Sequence, residues 1–422
     1  MMRLNWCLGV VSLLGLASAC SGKSDGNGIA AVSQAGAVGM ATAGSGASAG
    51  AASAGAASGP GGSGGTSGTS GGSGPALATP SEVTHIDGCG YMALAISKGV
   101  IYFTDSAHGS VKSIPVAGGM ASDVATGQKA PYAVAVDDAG VVYWSNTSDT
   151  VGADNTLMMA APGGMPTKIT DVDQSTAKAG ATNIVKRITL DGQGNIYYGA
   201  NSALMKVEAK AMGMNTKIGT FDGQPIAIVL TPPAPVAPTR IFTSLNFDNA
   251  VQWRSPDPTT SGCTDPVSRP LPVLGESAAD ALKRVNGGGC AFSESIGSLV
   301  YEPLSLAGNN ILFIDGTDVA MADTTVPATT QAMRSNISGS DIGNGSFDPL
   351  SGFTNTATTI YFGESSSGTI EKATLPKSDP VILAQDKTKI VNPTSFVNDG
   401  TNFYFRTGTG PGDSCVIMKL PL

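Results

Sequence analysis

Seven times along this chain a large apolar residue, an aromatic one and a third residue stand in a row behind a small-residue turn, and no other feature restricts the fold as much. The stretches are Ile101-Tyr102-Phe103, Val142-Tyr143-Trp144, Ile196-Tyr197-Tyr198, Ile241-Phe242-Thr243, Leu312-Phe313-Ile314, Ile360-Tyr361-Phe362 and Phe403-Tyr404-Phe405. Their central positions lie 41, 54, 45, 71, 48 and 43 residues apart. Such residue types favour strands. A period this long means a supersecondary unit that buries its apolar surface against the next copy of itself.

Each unit has room for strands on both sides of the aromatic one. A small-apolar run comes before it, as in Ala93 to Ile96, Ala133 to Val136 and Ile226 to Val229, often closed by a turn such as Asp137-Asp138-Ala139-Gly140. A third strand follows, as in Ser110 to Ile114, Leu157 to Ala160, Ala203 to Val207 and Thr369 to Ala373. Gly118-Gly119 and Gly163-Gly164 then mark tight turns, and short fourth strands follow at Thr167 to Thr170 and Val381 to Ala384. Four antiparallel strands in every unit predict an all-β fold, a β-propeller with one sheet per blade.

Tyr102-Phe103-Thr104-Asp105 and Tyr143-Trp144-Ser145-Asn146 carry a resemblance to the YWTD and NHL-like propellers, and later units keep only the aromatic. As a pattern the resemblance covers residues 81–422. That family implies six blades, whereas the repeats number seven, each just under about fifty residues, a normal blade length. The expectation is therefore a seven-bladed β-propeller, with six blades as the alternative. Packing between blades is the expected role of Tyr102, Tyr143, Tyr197, Tyr361 and Tyr404.

The seventh unit has strands near Ser395 to Val397, Phe403 to Phe405 and Val416 to Leu420, and no fourth. Glu82 to Ile86, ahead of the first unit, is the strand left to fill that place and remove an exposed edge. Antiparallel pairing would set Cys89 beside Cys415. Four thiols of the exported domain, Cys89, Cys263, Cys290 and Cys415, allow three connectivities. Closure favours Cys89 with Cys415 and leaves Cys263 with Cys290. Neither C-x-x-C spacing nor a nearby His supports metal binding by these thiols. The second pair frames the one long spacing, an insertion at about residues 255–295. In it Ser277 to Val285 reads as a short helix, with Ser277 and Asp280 as its cap and Asn286-Gly287 as its stop. This insertion is the first place to look for a binding loop.

The amino terminus reads as a targeting segment over residues 1–19: Arg3, an apolar core from Trp6 to Leu16, then Ala17-Ser18-Ala19. That core is too short for a permanent membrane span. Leu16-Ala17-Ser18-Ala19-Cys20 resembles a bacterial lipobox, with Ala17 where the motif more often carries Leu. The resemblance implies diacylglyceryl attachment at Cys20 and cleavage before it, while plain secretion would cut the same bond. Residues 20–80 are nearly all Gly, Ala, Ser and Thr, too poor in apolar side chains to offset the entropy of ordering, and read as a disordered tether. Two G-x-S-x-G matches inside it, at Gly46 to Gly50 and Gly61 to Gly65, lack the strand and helix that a nucleophile elbow needs.

A net charge of −8 argues against nucleic acid as a partner. The chain has two histidines, His85 on the closing strand and His108 in the turn Ala107-His108-Gly109. Both read as structural or solvated residues, and no catalytic constellation is visible. The stretch from Asp341 to Asp348 spaces oxygen ligands at calcium-like intervals without the full loop pattern, so no cofactor is expected and calcium is the cation to consider. Propeller lactonases hold a divalent cation with Glu, Asn and Asp in the central channel, but no local motif here carries those positions over. The expected function is a monomeric, non-enzymatic binding or interaction module for a protein or carbohydrate. Cys20 would anchor it through its lipid in the cell envelope, at the outer membrane facing periplasm or exterior. A metal-dependent lactonase-like hydrolase and a structural envelope component are the alternatives.

Overall fold

The computed structural model describes residues 77–147, 155–172, 184–208, 214–246, 251–254, 290–293, 304–323, 334–336, 352–408 and 414–422, apart from breaks of one to three residues inside these ranges. The expected signal segment, Cys20, nearly all of the expected linker, Cys263, the expected helix at 277–285 and the stretch from Asp341 to Asp348 lie outside the described residues.

The described elements are all strands. The chain opens with β1 (Ser81–Ile86) and a first sheet of β2 (Leu94–Ser97), β3 (Val100–Asp105), β4 (Ser110–Pro115) and β5 (Ser122–Ala125). A second sheet holds β6 (Pro131–Val136), β7 (Val142–Asn146), β8 (Thr156–Ala160) and β9 (Thr167–Asp171), and a third β10 (Ile188–Leu190), β11 (Ile196–Ala200), β12 (Ala203–Val207) and β13 (Asn215–Thr220). The fourth has β14 (Gln224–Thr231), β15 (Arg240–Asn246), β16 (Val251–Arg254) and β17 (Cys290–Ser293), and the fifth β18 (Ser305–Ala307), β19 (Asn310–Asp315), β20 (Asp318–Asp323) and β21 (Arg334–Asn336). β22 (Phe353–Asn355), β23 (Thr359–Glu364), β24 (Thr369–Thr374) and β25 (Val381–Gln385) make the sixth. The last joins β26 (Thr394–Asn398), β27 (Asn402–Thr407) and β28 (Cys415–Pro421) to β1.

That last sheet is the expected closure. β1 runs antiparallel to β28, with Ser81 opposite Lys419 and Ile86 opposite Cys415. Just beyond, Cys89 and Cys415 form a disulfide, with Cα atoms 5.8 Å apart across 326 residues of sequence. The first strand of one sheet lies against the first strand of the next at β2/β6, β6/β10, β10/β14, β18/β22, β22/β26 and β26/β2. Apolar side chains fill the seams between sheets, as where Leu94, Phe103 and Ile114 of the first sheet meet Val83, Tyr404 and Ile417 of the last.

Hydroxyls also hold neighbouring sheets together. Thr104 Oγ1 accepts the Ala93 N–H at 2.9 Å and donates to the Tyr132 carbonyl in the next sheet at 2.9 Å. Ser145 repeats the arrangement from Ala133 to Val185, at 3.0 Å each. Across the closing seam, Ser395 Oγ donates to the Met92 carbonyl at 2.9 Å. Buried carbonyls need such partners, and Thr104 and Ser145, each three residues after the apolar residue that opens its stretch, supply them.

The aromatic positions pack as expected for Tyr143, Tyr197, Tyr361 and Tyr404, all buried, while Tyr102 is only partly covered. Three of them also do something the sequence reading omitted. Asp137, Asp191 and Asp399 sit in the turn before the aromatic strand, and each receives backbone N–H groups of its own turn on Oδ1. The other carboxylate oxygen, Oδ2, accepts the hydroxyl of the following tyrosine. The aspartate shapes the turn and pins the ring that fills the seam.

Candidate functional site

Both histidines of the chain line one groove of about 590 Å3, between β1 on one wall and β4 and β5 on the other. On β1, His85 Nε2 lies 2.9 Å from Asp87 Oδ1. Asp87 also accepts the Ser414 hydroxyl at 3.0 Å, and that bond, with His85 second, holds its carboxyl below the usual carboxylate range.

The opposite wall is the hairpin between β3 and β4. Asp105 ends β3, faces Ser110 across the ladder and is fully buried. It accepts the His108 backbone N–H at 3.2 Å, and its Oδ2 lies 2.8 Å from His108 Nδ1. A carboxylate can only accept, so in this contact Nδ1 of the half-exposed ring carries a proton. Gly109 makes this loop possible: its φ is +59°, and a Cβ there would come within 2.5 Å of the Gln128 carbonyl oxygen. Lys112 Nζ reaches Asp123 Oδ1 at 2.6 Å across the groove floor. Ser110 Oγ is buried without a hydrogen-bond partner among the described residues.

Asp105 and His108 are oriented as a buried carboxylate and an imidazole base are in acid–base catalysis. The adjacent Ser110 hydroxyl, however, is shut away from solvent, so the groove offers hydrogen-bonding and ionic groups rather than a reachable nucleophile. A second groove of about 520 Å3 flanks the other side of the closing sheet, between Glu82 and Met418 on one wall and Thr388 and Lys389 on the other.

The first strands of the seven sheets present a different chemistry. From Leu94–Ser97 to Thr394–Asn398 they carry no Asp, Glu, Lys, Arg or His. At one end Tyr132 of β6 stacks on Tyr91, with centroids 3.5 Å and planes 7° apart. Nearby, Arg406 donates from Nε to Cys415 Sγ at 3.2 Å and from a terminal nitrogen to Thr394 Oγ1 at 3.4 Å. Burial lowers the pKa of its guanidinium, and Tyr91 partly opposes this. Among the described residues no three His, Cys, Asp or Glu side chains converge as metal ligands.

The structure thus places Cys89 and Cys415 together as expected and puts Cys290 on β17, with Cys263 outside the described residues. It gathers His85 and His108, read from sequence as unrelated strand and turn residues, into one groove. Asp87, Asp105, Lys112 and Asp123 were missed. The spacing of Asp105 to His108 was the one available signal, since a residue three positions on returns to the end of the same strand in a tight hairpin.

No family model matches this chain, and no curated protein does. Solved structures do. A catalytically inactive variant of virginiamycin B lyase from Staphylococcus aureus, crystallised with quinupristin, aligns over 81% of this chain and 98% of its own, with a TM-score of 0.55 and 13% identity. A chain of the mitotic checkpoint complex aligns over 82% and 96%, with a TM-score of 0.51 and 11% identity. A chain of the nidogen/laminin complex aligns over 63% and 86% at 13% identity, with a TM-score of 0.38, too low to weigh. At such identities the likeness concerns fold alone, and with the four-stranded antiparallel sheets it makes this an all-β chain with a β-propeller domain.

Proposed function

We propose that residues 81–422 form a seven-bladed β-propeller, and that it works as a non-enzymatic binding module in the cell envelope. Cys20 carries its lipid anchor, residues 20–80 form the tether, and the outer membrane is the site of attachment. The observation that carries the binding reading is the separation of chemistries. The first strands hold no Asp, Glu, Lys, Arg or His, while the paired charges and both imidazoles line a groove between sheets at the closing seam. A rigid frame with its polar groups at inter-sheet grooves suits recognition of a polar protein or carbohydrate surface. For the metal-dependent hydrolase, nothing among the described residues supplies the converging carboxylates that reading needs.

The test is saturable binding of the full chain to envelope oligosaccharides and to washed envelope fractions, beside a variant carrying His85→Ala and His108→Ala. Binding weakened about tenfold or more by the double substitution supports the groove, on the scale of one or two lost hydrogen bonds. Turnover in a screen of lactones and esters overturns the non-enzymatic reading, and absence of any saturable binding favours a structural component. Separately, a fatty-acid probe should label the wild type and not Cys20→Ser.

A further inference from the structure

Six large apolar side chains stand exposed among the described residues: Met120 at 91%, Met165 at 86%, Met214 at 68%, Leu77 and Val381 at 49% each, and Ile382 at 42%. All six lie at or within four residues of the start of the fourth strand of their sheets. Met120 and Met165 lie two residues before β5 and β9, and Met214 immediately precedes β13. Val381 and Ile382 open β25, and Leu77 comes four residues ahead of β1, the fourth strand of the last sheet. The remaining two sheets have this lead outside the described residues.

The five sheets concerned follow one another: sixth, last, first, second, third. One hydrogen bond and one close approach link the sixth, last and first of these. The Ala78 N–H donates to the Leu383 carbonyl at 2.7 Å, which sets Leu77 beside the exposed start of β25. A Cβ on Gly118, in the turn that carries Met120, would meet the Val83 carbonyl oxygen of β1 at 3.4 Å. Because every sheet of a propeller runs in the same sense, these leads fall on a single rim. Gly118 and Gly119, at φ +87° and +121°, and Gly163 at +68° hold two of the methionines out on tight turns.

We propose that this rim is a membrane-docking edge, pressed against the bilayer that holds the lipid of Cys20. The proposal rests on the reading that the domain is tethered through that cysteine. Three features select lipid as the occupant. Leu77, itself one of the six, is the first described residue of the domain's amino-terminal side, where the chain from Cys20 joins, so the tether enters at this edge. None of the six is aromatic or Arg, the side chains that most often carry protein hot spots, and they are strung along five strand starts rather than gathered in one pocket, with Met120 also lining the groove of His85 and His108. Unbranched, flexible methionines adapt to a deformable apolar phase, and a chain of net charge −8 gains little from anionic headgroups, which leaves apolar insertion as the contact. A few partly inserted side chains bind weakly on their own. On a tether the local concentration of bilayer is high enough for them to set the orientation of the domain.

The test uses the lipidated full chain with vesicles of phosphatidylethanolamine and phosphatidylglycerol. Flotation reports the tether, and Cys20→Ser is its control. Docking is read as the rate at which hydrogen peroxide converts each methionine to the sulfoxide, with water as the other product, followed by peptide mass spectrometry. On floated protein Met120, Met165 and Met214 should oxidise at least about fivefold more slowly than without vesicles, while buried Met205 stays unreactive in both. Equal rates on protein that floats overturn the docking edge and leave the tether standing. Protection that needs added envelope proteins assigns the rim to a protein partner and also overturns it. If the wild type does not float, the tether reading fails and the docking edge falls with it.

Discussion

The hydroxyl of Tyr197 donates to Oδ2 of Asp191 at 3.2 Å, while the other oxygen of that carboxylate accepts the Gln193 and Asn195 N–H groups at 2.9 and 2.8 Å. One buried aspartate therefore holds both a turn and the aromatic ring six residues on. Asp191→Ala removes four acceptor contacts at once, counting the Asn195 side-chain amide at 2.8 Å. It should cost about 2–4 kcal/mol of stability, whereas Tyr197→Phe should cost only about 1 kcal/mol. Denaturant unfolding of the two variants and the double variant checks this, and additive losses would mean that the two groups are uncoupled.

The alkaline limb of stability follows from the same contacts. Burial, with the Asp137 charge next, pushes the Tyr143 hydroxyl up to about 12, and Tyr197 and Tyr404 are raised in the same way. A folded-state value above the unfolded one means that the stabilisation is complete below about pH 10 and is lost as the pH climbs through the folded value. Absorbance at 295 nm should show Tyr143 un-ionised until about pH 12 and then ionising together with unfolding.

On the acid side the sign reverses. Burial raises the pKa of Asp399, but the N–H groups of Asn402 and Thr401 and the Tyr404 hydroxyl outweigh it, so the carboxyl sits below its ordinary value. Its contribution is present above about pH 4 and fades as the pH drops through the folded value. Asp399→Asn should lower the melting temperature at pH 7 and flatten its decline between about pH 5 and 3.

The disulfide closes a loop of 326 residues. Replacing both Cys89 and Cys415 by Ser should lower stability by about 3–5 kcal/mol, because the unfolded chain regains the freedom that the bridge removed. Calorimetry of the variant and the wild type under oxidising conditions measures this, and adding reductant to the wild type should lower its melting temperature at least as far as that of the variant.

Gly109 and Gly368 occupy the same place in two sheets, immediately before the third strand, with φ of +59° and +63°. A Cβ would come within 2.5 Å of the Gln128 carbonyl oxygen at one and 2.7 Å of Lys387 Cα at the other. Gly109→Ala and Gly368→Ala should each cost about 2–4 kcal/mol. Gly127→Ala, at φ +67° with open space around its Cβ, should cost about 1–2 kcal/mol. Equal losses at the three sites would show that backbone conformation alone, and not crowding, sets the penalty.

The strand pattern was legible because it is local: aromatic triplets at a steady interval reveal sheet-forming units, and the one missing strand revealed the partner of Glu82 to Ile86. The Tyr–Asp bonds were readable in principle, since six residues separate the partners in two sheets, but the tyrosines already had a sufficient role in packing. The groove was not readable. His85 comes from the strand that closes the last sheet and His108 from a hairpin of the first, so only the register of β1 on β28 brings them to one surface. The exposed methionines look in sequence like any apolar residues beside turns, because exposure depends on what the neighbouring sheet covers.

The pairing of β1 with β28 also bears on timing. A chain delivered amino terminus first exposes residues 81–86 at the outset, yet their partner is residues 415–421. Until those last residues arrive, the opening strand has its ladder groups unpaired, and Cys89 has no thiol to meet. Pairing of β1 thus waits on the arrival of residues 415–421. A product cut short before residue 415 is left with both an unpaired edge on β1 and a Cys89 thiol that has lost its disulfide partner.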